Sequence, residues 1–104
     1  MNKLIRDNKV AVLYSPDFGA GWFTWNYQYP EILFDPFIVQ MVEDNTDSKT
    51  IELYCEEKYP QGFFGGASEL VIEWVEVNRE FRIDEYDGNE SIIFRDNDDD
   101  WIVA

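Results

Sequence analysis

The segment from Lys9 to Asn26, KVAVLYSPDFGAGWFTWN, constrains the fold of this chain more than any other. It begins with the apolar run Val10 to Tyr14, whose length and β-branched residues predict a buried strand. Ser15-Pro16 ends the strand, because proline fixes φ and has no N–H to donate to a neighbouring strand. The strand must therefore be followed by a loop, and the residue types of that loop decide how it can be used.

The loop combines glycines with aromatic residues. Gly19-Ala20-Gly21 permits backbone conformations and close approaches that a Cβ would forbid. Five aromatic residues occupy the next eight positions, and Phe63-Phe64 beside Gly65-Gly66 repeats the combination. Such aromatics either fill the core or stack on a small, nucleotide-like ligand. The residues of that ligand site would be Phe18, Gly19, Gly21, Trp22, Trp25, Phe63 and Phe64. Under the ligand interpretation, Gly21→Val is expected to abolish binding without unfolding the chain.

Two helices are predicted in the middle of the chain. Asp35-Pro36 is a helix start, with aspartate as N-cap and proline at the first helical position. Apolar residues then recur at helical spacing until about Asn45. A second helix is expected from about Asp47 to the Tyr59-Pro60 break. Its buried side would carry Ile51, Tyr54, Cys55 and Lys58.

The last third of the chain has the alternating pattern of strands. Strands are predicted from Leu70 to Val77, from Glu80 to Tyr86 and from Ser91 to Arg95. Asp87-Gly88-Asn89 is a strong hairpin signal, because Asp-Gly readily adopts positive φ. Trp101-Ile102-Val103 is a candidate for a final short strand. Residues 1–9 form either a frayed start or a short edge strand.

This order of elements predicts an α+β fold. We expect an antiparallel sheet of four to five strands, with two short helices inserted after the first strand and packed on one face. At 104 residues, the chain is expected to form a single domain over residues 1–104.

The charge balance restricts the classes of partner. Twenty-two acidic residues against eight basic ones give a formal net charge of −14. Such a field repels nucleic acid and anionic lipid, and it favours a basic protein surface or serves solubility alone. The sequence has no apolar run long enough for a membrane span and no signal-peptide core near its start. One cysteine fits a reducing cytosol, so a cytoplasmic location is expected.

The residue types argue against an enzyme. The sequence has no histidine, which removes the commonest general base and metal ligand. Cys55, Ser15 and Ser91 have no imidazole to activate them, and we expect Cys55 to be structural. The run Asp96 to Asp100 does not match a calcium-binding EF-hand loop, because Trp101 stands where glycine is required. No catalytic residue, metal site or cofactor is predicted.

Several segments carry a resemblance to a known group of proteins. They are SPDFGAGWFTWN, EILFDPFIV, FRIDEYDGNE and the final DWIVA. Over most of its length the chain resembles small uncharacterised proteins encoded by tailed bacteriophages and related prophages. That resemblance implies an accessory protein that acts in a bacterial cytoplasm. Proteins of this kind often bind and redirect host proteins, including defence systems.

The first functional hypothesis is therefore a non-enzymatic protein that docks on the basic surface of a host protein and inhibits or redirects that host protein. An acidic face that imitates a phosphate backbone would do this, and it would bind neither nucleic acid nor membrane directly. The residues predicted for this face are Glu73, Glu76, Asp84, Glu85, Asp87, Glu90, Asp96, Asp98, Asp99 and Asp100. The alternative is the small-ligand site described above. Aromatics exposed in the glycine loops would also suit a homodimer.

Overall fold

The computed structural model describes residues 2–17 and 19–95. Two helices separate a first pair of strands from a later group of three. The strands are β1 (Ile5–Arg6), β2 (Lys9–Tyr14), β3 (Val71–Glu76), β4 (Phe81–Tyr86) and β5 (Asn89–Phe94), and the helices are α1 (Pro36–Glu43) and α2 (Ser48–Lys58). Short 3₁₀ helices cover Phe23–Trp25, Pro30–Leu33 and Gly65–Glu69.

Three layers are built around β2. This strand lies in the middle of a three-stranded antiparallel sheet with the order β1-β2-β3. Ala11 and Leu13 on one face join the helical layer in a buried cluster that includes Ile38 and Ile51. Val12 on the opposite face packs in a second cluster, bordered by side chains of β4 and β5. The uninterrupted apolar run of β2 is explained by this position, because a strand covered on both faces has no polar side.

The predicted α+β class, with both helices after the first long strand, is confirmed. The prediction of a single sheet of four to five strands is wrong, because β4 and β5 form a separate two-stranded sheet. Phe81 and Ile83 of β4 turn inward against the second face of β2, so the hairpin covers the three-stranded sheet instead of extending it. The candidate strand Trp101-Ile102-Val103 lies outside the described residues.

Turn chemistry fixes both hairpins. The β4–β5 turn has positive φ at Asp87 (52°) and Gly88 (86°), as predicted for Asp-Gly. Asp7 and Asn8 connect β1 to β2 with φ of 51° and 63°. Residues 1–9 were predicted to form either a frayed start or a short edge strand, and the structure has the short edge strand, β1.

Side-chain caps begin both helices at the predicted residues. Asp35 accepts hydrogen bonds from the N–H groups of Phe37 and Ile38, with Pro36 at the first helical position. Asp47 caps α2 through the N–H of Thr50. In the part of the chain that the structure describes, neither helix nor any other has the length and apolar character to cross a membrane.

Candidate functional site

The carboxylate of Glu90 is enclosed where the hairpin meets the loop after β2. Only 1% of this residue is exposed. Its Oε1 accepts a hydrogen bond from the N–H of Ser15 at 2.9 Å. Its Oε2 accepts from the N–H groups of Trp22 and Thr24, both at 2.9 Å, and from the Thr24 hydroxyl at 2.7 Å. A buried carboxylate requires donors that replace its lost water, and these four donors meet that requirement.

The hairpin tip is fastened to this loop by its backbone as well. Glu90 N donates to Ser15 O at 2.7 Å, and Gly19 N donates to Asp87 O at 3.2 Å. A Cβ on Gly88 would lie 2.7 Å from the carbonyl carbon of Gly19, so the turn and the loop are in direct contact. The conformation of the glycine loop therefore depends on the docked hairpin.

The structure removes Glu90 from the predicted acidic surface, because its acceptor positions are occupied inside the protein. A signal for this was present in the sequence. Alternation along β5 places Glu90 on the same face as Ile92 and Phe94, which pack toward the second face of β2. Glutamate is rarely buried without a cationic partner, and for that reason Glu90 was predicted to lie at the surface.

The aromatic residues of the predicted ligand loop divide between core and surface. Trp22 is fully buried, and the ring of Phe64, 7% exposed, lies 6.1 Å from it between centroids. Trp25 and Phe63 are 37% and 51% exposed, with ring centroids 5.0 Å apart. The core interpretation therefore applies to Trp22 and Phe64, and a surface interpretation applies to Trp25 and Phe63.

The exposed aromatic pair is held in place by Asn26. The side-chain amide of Asn26 donates to Phe63 O at 2.8 Å, and its Oδ1 accepts from Phe63 N at 2.7 Å. Asn26 Nδ2 also donates to Trp22 O at 2.6 Å, which anchors this contact to the core. Phe63 is thus positioned beside Trp25 by two hydrogen bonds from a buried side chain.

The glycines of the first loop have different roles. A Cβ on Gly21 would lie 2.7 Å from both Thr24 Oγ1 and Trp25 Cδ1. Gly21→Val therefore disturbs packing, and the expectation that it would leave the fold intact is not supported by this geometry. Gly19 is exposed and has a φ of 125°, a conformation that favours glycine. Phe18 lies outside the described residues.

The acids predicted for a partner-binding face lie in several settings. Glu76, Glu85 and Asp87 are exposed, whereas Glu73 and Asp84 are half-buried. They belong to β3 and to the β4–β5 hairpin, which are in different sheets. The predicted acids that lie outside the described residues are Asp96, Asp98, Asp99 and Asp100.

A second buried carboxylate, Asp35, organises the outer side of the helical layer. Besides capping α1, it accepts hydrogen bonds from the hydroxyls of Tyr54 and Tyr59 and from the ammonium of Lys58 at 3.1 Å. Burial raises the pKa of Asp35, but the hydrogen bonds from Tyr59, Tyr54 and Lys58 together outweigh it and hold the pKa below its ordinary value. The sequence predicted only the capping role.

The Lys58 ammonium lies among aromatic rings. It is 5.6 Å from the ring centroids of Tyr54 and Tyr59, and 5.7 Å from that of Phe37. Its hydrogen bonds to Tyr54 and Asp35 raise the pKa of Lys58. Beside it is an open pocket of about 420 Å³, lined by Asn2, Glu31, Asp35, Pro36, Phe37, Lys58 and Tyr59. The lysine and the carboxylate satisfy one another, so this cluster is explained by its structural role.

Nucleophilic chemistry has little support in the described part of the chain. Cys55 is fully buried, as predicted, and burial together with the charge of Asp35 raises the pKa of its thiol to about 12. Such a thiol is not a nucleophile near neutral pH. Within residues 2–17 and 19–95, no group of three or more potential ligand side chains could hold a metal ion.

Comparison of the chain with protein-family models, with curated proteins and with solved structures finds no match.

We expect Glu90→Gln to destabilise the protein by about 2–4 kcal/mol, because an amide nitrogen cannot accept from the buried N–H groups that the carboxylate satisfies. Urea unfolding followed by circular dichroism measures the change. Glu85→Gln is the matched control: Glu85 is the cross-strand neighbour of Glu90 but is exposed, and the amide oxygen of the variant can still accept the hydrogen bond from Gly88 N. Equal free energies of unfolding for the two variants would contradict the proposed role of Glu90.

Asp35→Asn should lower the free energy of unfolding at pH 7 by about 1–3 kcal/mol, because hydrogen bonds to a charged acceptor are lost. The folded-state pKa of Asp35 is below the unfolded value. Its stabilisation is therefore complete above the ordinary aspartate pKa of about 4 and is lost as the pH falls through the folded-state value. Urea titrations from pH 7 to pH 3 should show the two proteins converging in stability.

The control for this measurement is Asp47→Asn. Asp47 also caps a helix but is exposed, and asparagine is an equally good N-cap. The stability gap between wild type and Asp47→Asn should be the smaller of the two at pH 7. A gap for Asp35→Asn that stayed constant from pH 7 to pH 3 would show that the charge of Asp35 is not the source of its effect.

Proposed function

We propose that this chain is a non-enzymatic accessory protein that docks through its acidic surface on a basic surface of another protein. The observation that supports this most is the distribution of charge. Four basic side chains of the described residues form ion pairs with acids of the same chain: Arg6 with Glu43, Lys58 with Asp35, Arg82 with Asp84 and Arg95 with Glu80. The excess of acidic residues then sets the field outside the protein.

Exposed acids are available on two elements for such docking. Glu76 lies at the end of β3, and Glu85 and Asp87 lie at the tip of the hairpin. A negatively charged surface accelerates association with a basic partner and repels nucleic acid and anionic membranes. Because the charges are exposed, salt should screen the attraction strongly.

The nature of the partner follows from the resemblance to small phage proteins. We propose a protein of the bacterial host, with defence components that bind nucleic acid as the first candidates. Their basic surfaces already accommodate a regular array of phosphates, and closely spaced carboxylates can occupy the same positions. Occupation of that surface would inhibit or redirect the host protein in the cytoplasm without any chemical step.

Neutralising the exposed acids of the β half should weaken this docking. The variant Glu76→Gln, Glu85→Gln, Asp87→Asn is expected to bind a captured host protein about tenfold more weakly, since each exposed charge contributes a modest amount. A pull-down from bacterial lysate across a salt series identifies the protein that is retained. Titration of that purified protein by calorimetry then gives the affinities.

The matched control removes the same number of charges from the helical layer. Glu52→Gln, Glu56→Gln, Glu57→Gln changes the net charge identically but alters only α2. It should bind as the wild type does, apart from a small general effect of charge. If both triple variants bind equally, or if binding ignores ionic strength, docking through the acids of β3 and the hairpin is refuted.

A second candidate function is supported by the exposed pair Trp25 and Phe63. The two rings lie 5.0 Å apart, and Asn26 holds the backbone of Phe63 by two hydrogen bonds. Together the rings could stack on a planar, nucleotide-like ligand. In this hypothesis the protein binds or sequesters the ligand at the outer side of the glycine loops. The buried Trp22 and Phe64 would then support the site without contacting the ligand.

This second hypothesis predicts that nucleotides quench the fluorescence of Trp25 and raise the melting temperature. Phe63→Ala should reduce ligand affinity about tenfold, as expected for the loss of one stacking ring. Tyr27→Ala, which removes another exposed aromatic, is the control. A screen of common nucleotides that changes neither fluorescence nor melting temperature would rule out this use of the pair.

A further inference from the structure

Among the residues that the structure describes, no strand pairs with the outer edge of β3. In the sheet order β1-β2-β3, the strand has a neighbour on one side only, and the hairpin packs across the face of the sheet instead of along this edge. Six residues, Val71–Glu76, pair with β2 in unbroken register. The strand contains no proline or bulge that would prevent a further strand from pairing with it.

The hydrogen-bonding pattern shows which residues face outward. In an antiparallel pair, hydrogen-bonded and non-hydrogen-bonded residue pairs alternate. Val77 N donates to Asn8 O one position beyond the end of β3. Counting back by twos, Val75, Glu73 and Val71 direct their backbone groups toward β2. Ile72, Trp74 and Glu76 therefore direct theirs toward the open edge.

A contact on the opposite side of β2 leads to the same assignment. Ala11 N donates to Leu4 O, so Ala11 bonds toward β1. Residues of a central strand bond alternately to the two sides, and Ala11 therefore does not bond to its cross-strand partner Trp74. Both observations leave the N–H and C=O of Trp74 directed away from the sheet.

Within the described residues, the backbone groups of Ile72 and Trp74 have no hydrogen-bond partner, whereas Glu76 O accepts from Arg79 N in the following turn. An extended segment placed along β3 would pair with these groups and become the fourth strand of the sheet. The side chains of Ile72 and Trp74 pack against the helical cluster, which holds this edge in its extended conformation.

The charge of the strand selects the occupant. The sequence from Ser68 to Val77 has glutamates at positions 69, 73 and 76 and no basic residue. Charged residues on an edge strand discourage pairing with a like-charged copy, and each copy of this chain has a net charge of −14. An extended segment with lysine or arginine side chains would instead gain attraction along the whole edge.

We propose that β3 is the docking strand, and that the partner supplies an extended basic segment that adds to its open edge. This inference rests on the proposed function and gives the acidic docking surface a defined geometry. The partner's backbone pairs with Ile72 and Trp74, and its basic side chains meet Glu73 on one face of the sheet and Glu76 on the other. Backbone pairing supplies affinity that salt does not remove, and the charges supply selectivity.

The test uses the full chain and a nine-residue peptide of alternating lysine and valine, blocked at both ends. Amide hydrogen exchange by NMR should show fast exchange at Ile72 and Trp74 in the free protein, although both lie in a strand. The amides of Glu73 and Val75 should be protected in the free protein. On addition of the peptide, exchange at Ile72 and Trp74 should slow by about tenfold or more.

Two methylated forms of the peptide provide the matched control. One carries N-methyl groups on every valine amide and the other on every lysine amide, so each form can pair through only one of its edges. Opposite edges of a strand place the lysines on opposite faces of the sheet. Glu73 and Glu76 themselves lie on opposite faces, so a form that runs antiparallel to β3 brings its lysines onto only one of these two glutamates. Glu73→Gln should therefore weaken one form severalfold and leave the other unchanged, and Glu76→Gln should do the reverse.

The outcomes separate this inference from the proposed function. Salt-sensitive peptide binding that leaves exchange at Ile72 and Trp74 unchanged, with each glutamate variant weakening both methylated forms equally, would overturn edge pairing and leave acidic docking in place. Protection of these amides in the protein alone, with a dimer in sedimentation, would show that a second copy fills the edge and would overturn a basic partner segment. Absence of peptide binding at low salt would also overturn it.

Discussion

The structure depends on one buried carboxylate that binds neutral donors only. Glu90 holds the backbone N–H groups of Ser15, Trp22 and Thr24 around a single acceptor group, and these residues span the whole glycine loop. The loop has little regular structure of its own, so its shape is set by this acceptor. Burial of Trp22 and the position of the hairpin are consequences of the same contact. The second face of β2 is covered because Glu90 brings the hairpin tip to it.

Local structure was predictable because local rules determine it. Asp35-Pro36 begins a helix wherever the following residues have an apolar face, and Asp87-Gly88 forms a tight turn with little help from the rest of the chain. The assignment of strands to sheets follows a different rule. Alternation in β4 predicts one apolar face, but it does not tell whether that face extends a sheet or lies on top of one. The apolar character of β2 on both faces was the indication that something had to cover it.

Functional residues were harder to predict because composition does not place them. Net charge predicted a basic partner without placing the contacts, because the same eleven glutamates include Glu90 in the interior and Glu76 at the surface. Aromatic density identified the loop. Of the aromatic residues first assigned to a ligand site and described by the structure, only Trp25 and Phe63 are substantially exposed to solvent. Asp35 was predicted as a cap, whereas its contacts with two tyrosines and a lysine depend on how α2 packs against α1. Such contacts between elements are decided by packing, and a linear pattern does not contain them.

The Glu90 contacts also constrain the order in which the chain can fold. Glu90 and Ser15 are separated by 75 positions, so the loop that closes between them contains both helices and β3. The β4–β5 hairpin is local and can form early, whereas closure of so long a loop is a slow step. During synthesis on a ribosome, β2 emerges long before Glu90 does. The apolar second face of β2 therefore stays uncovered until β4 and β5 have been made, and this interval is when the nascent protein is most exposed to aggregation.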